Sequence, residues 1–103
     1  MRRIVHWFLL CSIPIFAFGD GIRVATFNLK NYLVQDRRVE GRWMPEYPKP
    51  EAEKEAVRRA IHEMDADVLA LQEMGPAPFL LELQQDLAAE GFDYPHAIHF
   101  RAE

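Results

Sequence analysis

Cysteine is nearly absent from this chain: Cys11 is the only one, and it sits inside the first apolar stretch. Once that stretch is set aside no cysteine remains, which excludes a disulfide scaffold and a thiolate metal site. Glycine is sparse too, with five residues scattered along the sequence. The turn after the first apolar segment reads Asn28-Leu29-Lys30-Asn31-Tyr32, where a dinucleotide-binding domain needs Gly-x-Gly-x-x-Gly, so a nucleotide-binding crossover fold is disfavoured. Basic residues are outnumbered, 12 Lys and Arg against 16 Asp and Glu. A net acidic chain argues against broad nucleic-acid binding, because phosphate backbones attract basic faces. The same carboxylates suit a site built on divalent cations. There is no internal repeat, no low-complexity tract, and no apolar run as long as the roughly 20 residues that span a bilayer.

What the sequence does have begins with an export signal. Met1-Arg2-Arg3 is a short basic start, residues 4–18 are an apolar run broken by His6, Ser12 and Pro14, and Ala17-Phe18-Gly19 presents small residues where a signal peptidase reads. Residues 1–19 are therefore expected to be a signal peptide, with cleavage after Gly19 and export to a periplasmic or extracellular space. Ile4-Val5-His6 adds nothing to support a twin-arginine route, and Phe8-Leu9-Leu10 before Cys11 lacks the small residue that precedes a lipid-modified cysteine. Ordinary secretion without a stable membrane anchor is the expectation. Removal of the signal takes away Arg2 and Arg3 and no acid, so the formal charge of −4 becomes more negative by two.

Beyond the signal, residues 22–29 are almost continuously apolar and rich in β-branched types, as in a strand covered on both faces. Residues 30–50 mix charges, three prolines and Tyr32, Trp43 and Tyr47 without a sustained period, which reads as one long loop. From Glu51 the composition turns to Ala, Glu, Lys and Arg, with Val57, Ala60, Ile61 and Met64 on one helical face and Pro50, Glu51 and Glu53 suited to its start. Asp65-Ala66-Asp67 stops that helix. Residues 68–73 form a second buried strand, and a second helix follows with Phe79, Leu80, Leu83 and Leu87 on one face and Gly91 at its end. Residues 92–100 read as a third strand interrupted by Pro95. The order strand, helix, strand, helix, strand predicts an α/β fold whose first two strands are parallel, adjacent and joined by a right-handed crossover.

Asn28 closes the first strand and Glu73 the second. In an open α/β sheet the ligand crevice lies beyond the carboxyl ends of parallel strands, and neighbouring strands run about 4.8 Å apart. A carboxylate and an amide oxygen at that spacing can share one hard cation and its waters; magnesium takes such oxygen ligands together with substrate phosphate oxygens. His96 and His99, three apart on a strand, would point to opposite faces, and His62 reads as a half-buried helix residue. Arg37, Arg38, Arg42, Trp43 and Lys49 form a basic cluster in the 30–50 segment. Arginine forks fit phosphate, and the tryptophan could stack on a ring; a solvated loop is the equal alternative.

The segments Arg23-Val24-Ala25-Thr26-Phe27-Asn28-Leu29 and Ala66-Asp67-Val68-Leu69-Ala70-Leu71-Gln72-Glu73 resemble the first two motifs of the endonuclease/exonuclease/phosphatase superfamily, the group that includes deoxyribonuclease I. The resemblance extends from Ile22 to about Phe100 and implies that residues 20–103 are the N-terminal portion of such a domain, part of a two-sheet α/β sandwich. It implies Glu73 as a direct ligand of Mg2+ or Mn2+, Asn28 as a contributor to the metal and phosphate site, and Gln72 as a residue that shapes it. It also implies a phosphodiester or phosphomonoester substrate, with nucleic acid left open. The family's later Asp-x-Asn and Asp-His motifs map onto nothing in these 103 residues, so no catalytic base is identifiable and the chain alone is expected to be inactive. A secreted binding module that keeps the fold without the chemistry is the second expectation.

Overall fold

The computed structural model describes residues 21–101; the signal-peptide expectation for residues 1–19 lies outside the described residues. The described part is mixed α/β. Strands β1 (Val24–Tyr32), β2 (Gln35–Val39) and β3 (Arg42–Tyr47) are followed by helix α1 (Glu51–Met64), strand β4 (Val68–Met74) and helix α2 (Ala77–Ala89). β1 and β4 form a parallel pair, β2 and β3 an antiparallel pair. Both helices, the parallel adjacency of the two apolar strands and the helix stop at Asp65 agree with the sequence reading. At that stop Asp65 adopts φ 48° and donates its N–H to the Ile61 carbonyl at 3.1 Å.

Alternation along β1 and β4 sorts their side chains into two faces. Leu29 and Tyr32 are buried, and with Val57 and Ile61 of α1 and Leu83 and Leu87 of α2 they make the core, with Phe27, Leu69 and Leu71 packed against it. The other face carries Val24, Thr26 and Asn28 on β1 and Val68, Ala70 and Gln72 on β4, all exposed. The expectation of strands covered on both faces therefore holds for one face only, and Val24 stays 65% exposed.

Two further expectations are corrected. Residues 30–50 are not one long loop: they hold the end of β1 and a hairpin of β2 and β3. Val39 pairs with Arg42, and the two residues between them, Glu40 at φ 50° and Gly41 at φ 78°, have the paired positive φ of a type I′ turn, whose twist matches that of the strands it joins. Pro45 disguised the second strand because it lacks a ladder donor. A bulge absorbs it: the register shifts between Gln35 and Arg37, Glu46 takes φ 46°, and the Glu46 N–H donates to Asp36 Oδ1 at 3.0 Å.

Residues 92–100 form no strand. Pro95 breaks the donor row, and side chains hold the segment instead. The Tyr94 hydroxyl donates to the Ala66 carbonyl at 2.7 Å, and Gln84 Nε2 donates to the Tyr94 carbonyl at 2.6 Å. Phe92 stacks on His62 with ring centroids 4.5 Å apart, and the His99 ring nitrogen lies 2.8 Å from the Gly75 carbonyl. The segment thus runs as an extended strap tied to α1, α2 and the β4 end. Arg58, buried on α1, links the helices by pairing with Glu90 at 2.7 Å and Asp86 at 3.6 Å, and it pairs with Glu51 of its own helix at 3.2 Å.

Candidate metal centre

β1 and β4 run in register from Val24↔Val68 to Asn28↔Gln72, and the pairing then breaks until Tyr32↔Met74. Three residues of β1, Leu29, Lys30 and Asn31, stand opposite the single residue Glu73 of β4 across that break. The excess chain is taken up by left-handed backbone. Lys30 has φ 57° and Asn31 φ 61° on one strand, and Glu73 has φ 62° on the other. Asparagine tolerates that region; lysine and glutamate do so at a cost of roughly 1–3 kcal/mol each. Three of the six non-glycine residues with positive φ among the described residues, Lys30, Asn31 and Glu73, lie at this break, next to Asn28.

Asn28 and Glu73 meet. Asn28 Nδ2 donates to Glu73 Oε2 at 3.1 Å, and the Lys30 backbone N–H donates to Asn28 Oδ1 at 2.8 Å. Both partners require the same orientation of the amide, oxygen toward Lys30 and nitrogen toward Glu73, so the network defines it. Both side chains are exposed, on the face that the helices leave open. Glu73 keeps Oε1 and the remaining lone pairs of Oε2 for another partner, and a lone pair of Asn28 Oδ1 is also left. One carboxylate with an adjacent amide oxygen fits the donor set of a hard divalent cation that retains water or phosphate oxygens in its other positions. Gln72 turns elsewhere, its Nε2 lying 3.4 Å from the Ala70 carbonyl. Among the described residues no cluster of three or more His, Cys, Asp or Glu converges on one point.

The turn after Asn28 is held carbonyl by carbonyl. Lys49 Nζ donates to Lys30 O at 2.8 Å, Arg37 Nη2 donates to Asn31 O at 3.0 Å and to Leu33 O at 2.7 Å, and Gly75 N–H donates to Tyr32 O at 3.0 Å. Arg37 Nε also reaches the Tyr47 carbonyl at 3.1 Å, which fastens the hairpin to the turn. Of the basic cluster read from the sequence, Arg37 is thus committed to backbone carbonyls, and Lys49, 5% exposed, is buried. Arg38 donates to the Gly41 carbonyl at 2.9 Å and lies opposite Trp43 in the hairpin register. Trp43 is 62% exposed, and Arg42 pairs with Val39 at the turn. The structure therefore brings Asn28 and Glu73 together and sets Arg38, Arg42 and Trp43 on the neighbouring hairpin. Sequence reasoning missed the roles of Lys49 and Gly75. The signal for Lys49 was its place between Pro48 and Pro50, which stiffens the approach to α1.

Gly75 makes the close approach of the two strand ends sterically workable. A Cβ there would stand 2.7 Å from Leu33 Cβ, 2.9 Å from Phe79 Cδ2 and 3.1 Å from the Tyr32 carbonyl. Beneath the turn, the Tyr32 hydroxyl donates to Glu82 Oε2 at 3.0 Å, and Lys54 Nζ donates to the same oxygen at 2.8 Å. Burial, reinforced by the Glu82 carboxylate, raises the Tyr32 hydroxyl well above its ordinary range. The Lys54 hydrogen bond lowers Glu82 against the opposing effect of burial, with help from Tyr32.

No family model matches the chain, and no curated protein or solved structure is significantly similar to it.

Proposed function

We propose that these residues are the N-terminal part of a metal-dependent phosphoesterase of the endonuclease/exonuclease/phosphatase type, a two-sheet α/β sandwich acting on a phosphodiester or phosphomonoester. The observation that carries the reading is the 3.1 Å contact between Asn28 and Glu73 where the regular parallel pairing of β1 and β4 breaks. In this reading Glu73 binds Mg2+ or Mn2+ directly. Asn28 holds the Glu73 carboxylate in place through Nδ2 and offers its remaining Oδ1 lone pair to the metal or its waters. A bound divalent cation supplies Lewis-acid stabilisation of charge on the phosphate oxygens. Arg38, Arg42 and Trp43 extend the site along the hairpin as contacts for an anionic substrate that carries an apolar or ring group.

The acidic balance of the chain favours a site that attracts cations first and phosphate through them. The protein is proposed to act after export, since its first residues have the pattern of a cleavable signal. Among the described residues no helix is long and apolar enough to cross a membrane. The test is phosphoesterase activity of the protein that carries this chain, measured on bis(p-nitrophenyl) phosphate and p-nitrophenyl phosphate with and without EDTA, and again for Glu73→Ala. Chelation and the substitution are each expected to lower activity by at least about a hundredfold, as removal of a metal's charge stabilisation does. Activity that survives both contradicts the reading.

A further inference from the structure

Lysine is among the residues least often buried, and an ammonium withdrawn from water needs oxygen partners. Lys49 is buried, and its ammonium donates to the Lys30 carbonyl at 2.8 Å and to Glu53 Oε1 at 3.3 Å. Glu53 is a first-turn residue of α1 with its side chain 58% exposed, and the nearer partner is the carbonyl. Lys30 is the first of the two consecutive left-handed residues of β1. Its own N–H donates to Asn28 Oδ1, so one peptide unit later the same residue is held by Lys49. Pro48 and Pro50 flank Lys49 and restrict the chain on both sides of it, which fixes where the ammonium is delivered.

We infer that Lys49 is a positioning residue for the Asn28–Glu73 pair: its buried ammonium clamps the Lys30 carbonyl and so holds the left-handed turn that orients the Asn28 amide. The inference rests on the metal-site reading above. Arg37 acts alongside it on the next carbonyls, Asn31 and Leu33, but it also fastens the hairpin, whereas Lys49 acts on Lys30, whose N–H donates to Asn28. The role has a distinctive sign. Removing a positive charge near a cation site should by electrostatics alone strengthen cation binding. Loss of a positioning contact should weaken it, as loss of outer-shell contacts to metal ligands does.

The experiment compares wild type, Lys49→Met, Lys49→Gln and Arg58→Lys in the full chain, with two readouts: the hydrogen-exchange rate of the Lys30 backbone amide and the affinity for Mg2+ followed by titration. Arg58 is also buried, but it pairs with Glu51, Asp86 and Glu90, away from the turn, so Arg58→Lys controls for lost stability. Lys49→Met is expected to speed exchange at Lys30 and weaken Mg2+ binding by about tenfold. Lys49→Gln, which keeps a neutral donor and serves if the methionine variant does not fold, should fall between. Arg58→Lys should leave Mg2+ affinity unchanged. Unchanged exchange at Lys30 in both Lys49 variants, or unchanged or tighter Mg2+ binding despite faster exchange, overturns the role. An equal loss of affinity in Arg58→Lys overturns it too. If wild type takes up no Mg2+ while Lys30 exchange responds to Lys49, the metal reading fails and the clamp on Asn28 stands.

Discussion

At the scale of single residues, the site is a balance between strain and hydrogen bonds. Lys30 and Glu73 accept left-handed backbone that their side chains disfavour, and the compensation is local: Asn28 bridges them, donating to one and accepting from the other. Asn28→Ala removes both bonds at once and should free the Glu73 side chain and the Lys30 amide together; increased exchange at Lys30 in NMR checks this. Asn28→Asp is the sharper variant. It can still accept from Lys30, but it puts a second carboxylate against Glu73, so without a divalent cation it should lower the melting temperature, and added Mg2+ should restore it by neutralising the pair. Gly75 is the other residue with no tolerance. Gly75→Ala places a methyl under 3.0 Å from Leu33 and Phe79, and overpacking of that kind costs about 1–3 kcal/mol, readable as a shift of the denaturant midpoint.

At the scale of elements, the hairpin is where a gain in stability is available. Glu40 occupies the first left-handed position of its two-residue turn, where Asn-Gly is the favoured pair. Glu40→Asn is expected to stabilise the protein by up to about 1 kcal/mol, with a raised melting temperature and unchanged metal affinity. That turn also explains what the sequence concealed. Helices α1 and α2 were legible because Val57, Ile61, Leu83 and Leu87 recur at helical spacing and all four are buried. The parallel strands were legible as apolar runs that end in polar residues. The hairpin was not, since Glu-Gly is a weak turn signal and Pro45 interrupts the second strand with a bulge. The strap at 92–100 misled in the opposite direction: its apolar alternation is real, but Pro95 and the side-chain ties of Tyr94 and Gln84 replace a ladder. Asn28 and Glu73 were legible as polar residues closing apolar runs, but β1 continues past Asn28 to Tyr32, so Asn28 marks the break in regular pairing and not the end of the strand. The strained turn between them was invisible, because positive φ at lysine and glutamate leaves no mark on composition.

At the scale of the whole molecule, pH acts through the network under the site. Tyr32 is raised first by burial and then by the Glu82 hydrogen bond, so the folded state favours the neutral phenol. The stability this confers is complete below the ordinary tyrosine value of about 10 and is lost as pH rises beyond it. Glu82 is lowered, chiefly by Lys54; its contribution is present above the ordinary carboxylate value of about 4.3 and is lost as pH falls. The melting temperature should therefore decline toward both extremes. Tyr32→Phe should flatten the alkaline limb, and a limb unchanged by that substitution would show that other groups carry it. The same core joins the helices to the inner face of the β1–β4 pair and leaves the outer face, with Asn28 and Glu73 at its end, exposed. The most direct test of the central claim is a calorimetric titration of Mg2+ and Mn2+ into the protein and into Glu73→Gln, which keeps the shape of the side chain and removes its charge. The account predicts saturable binding by the protein that falls by at least about tenfold in Glu73→Gln; absence of binding, or binding indifferent to Glu73, would contradict it.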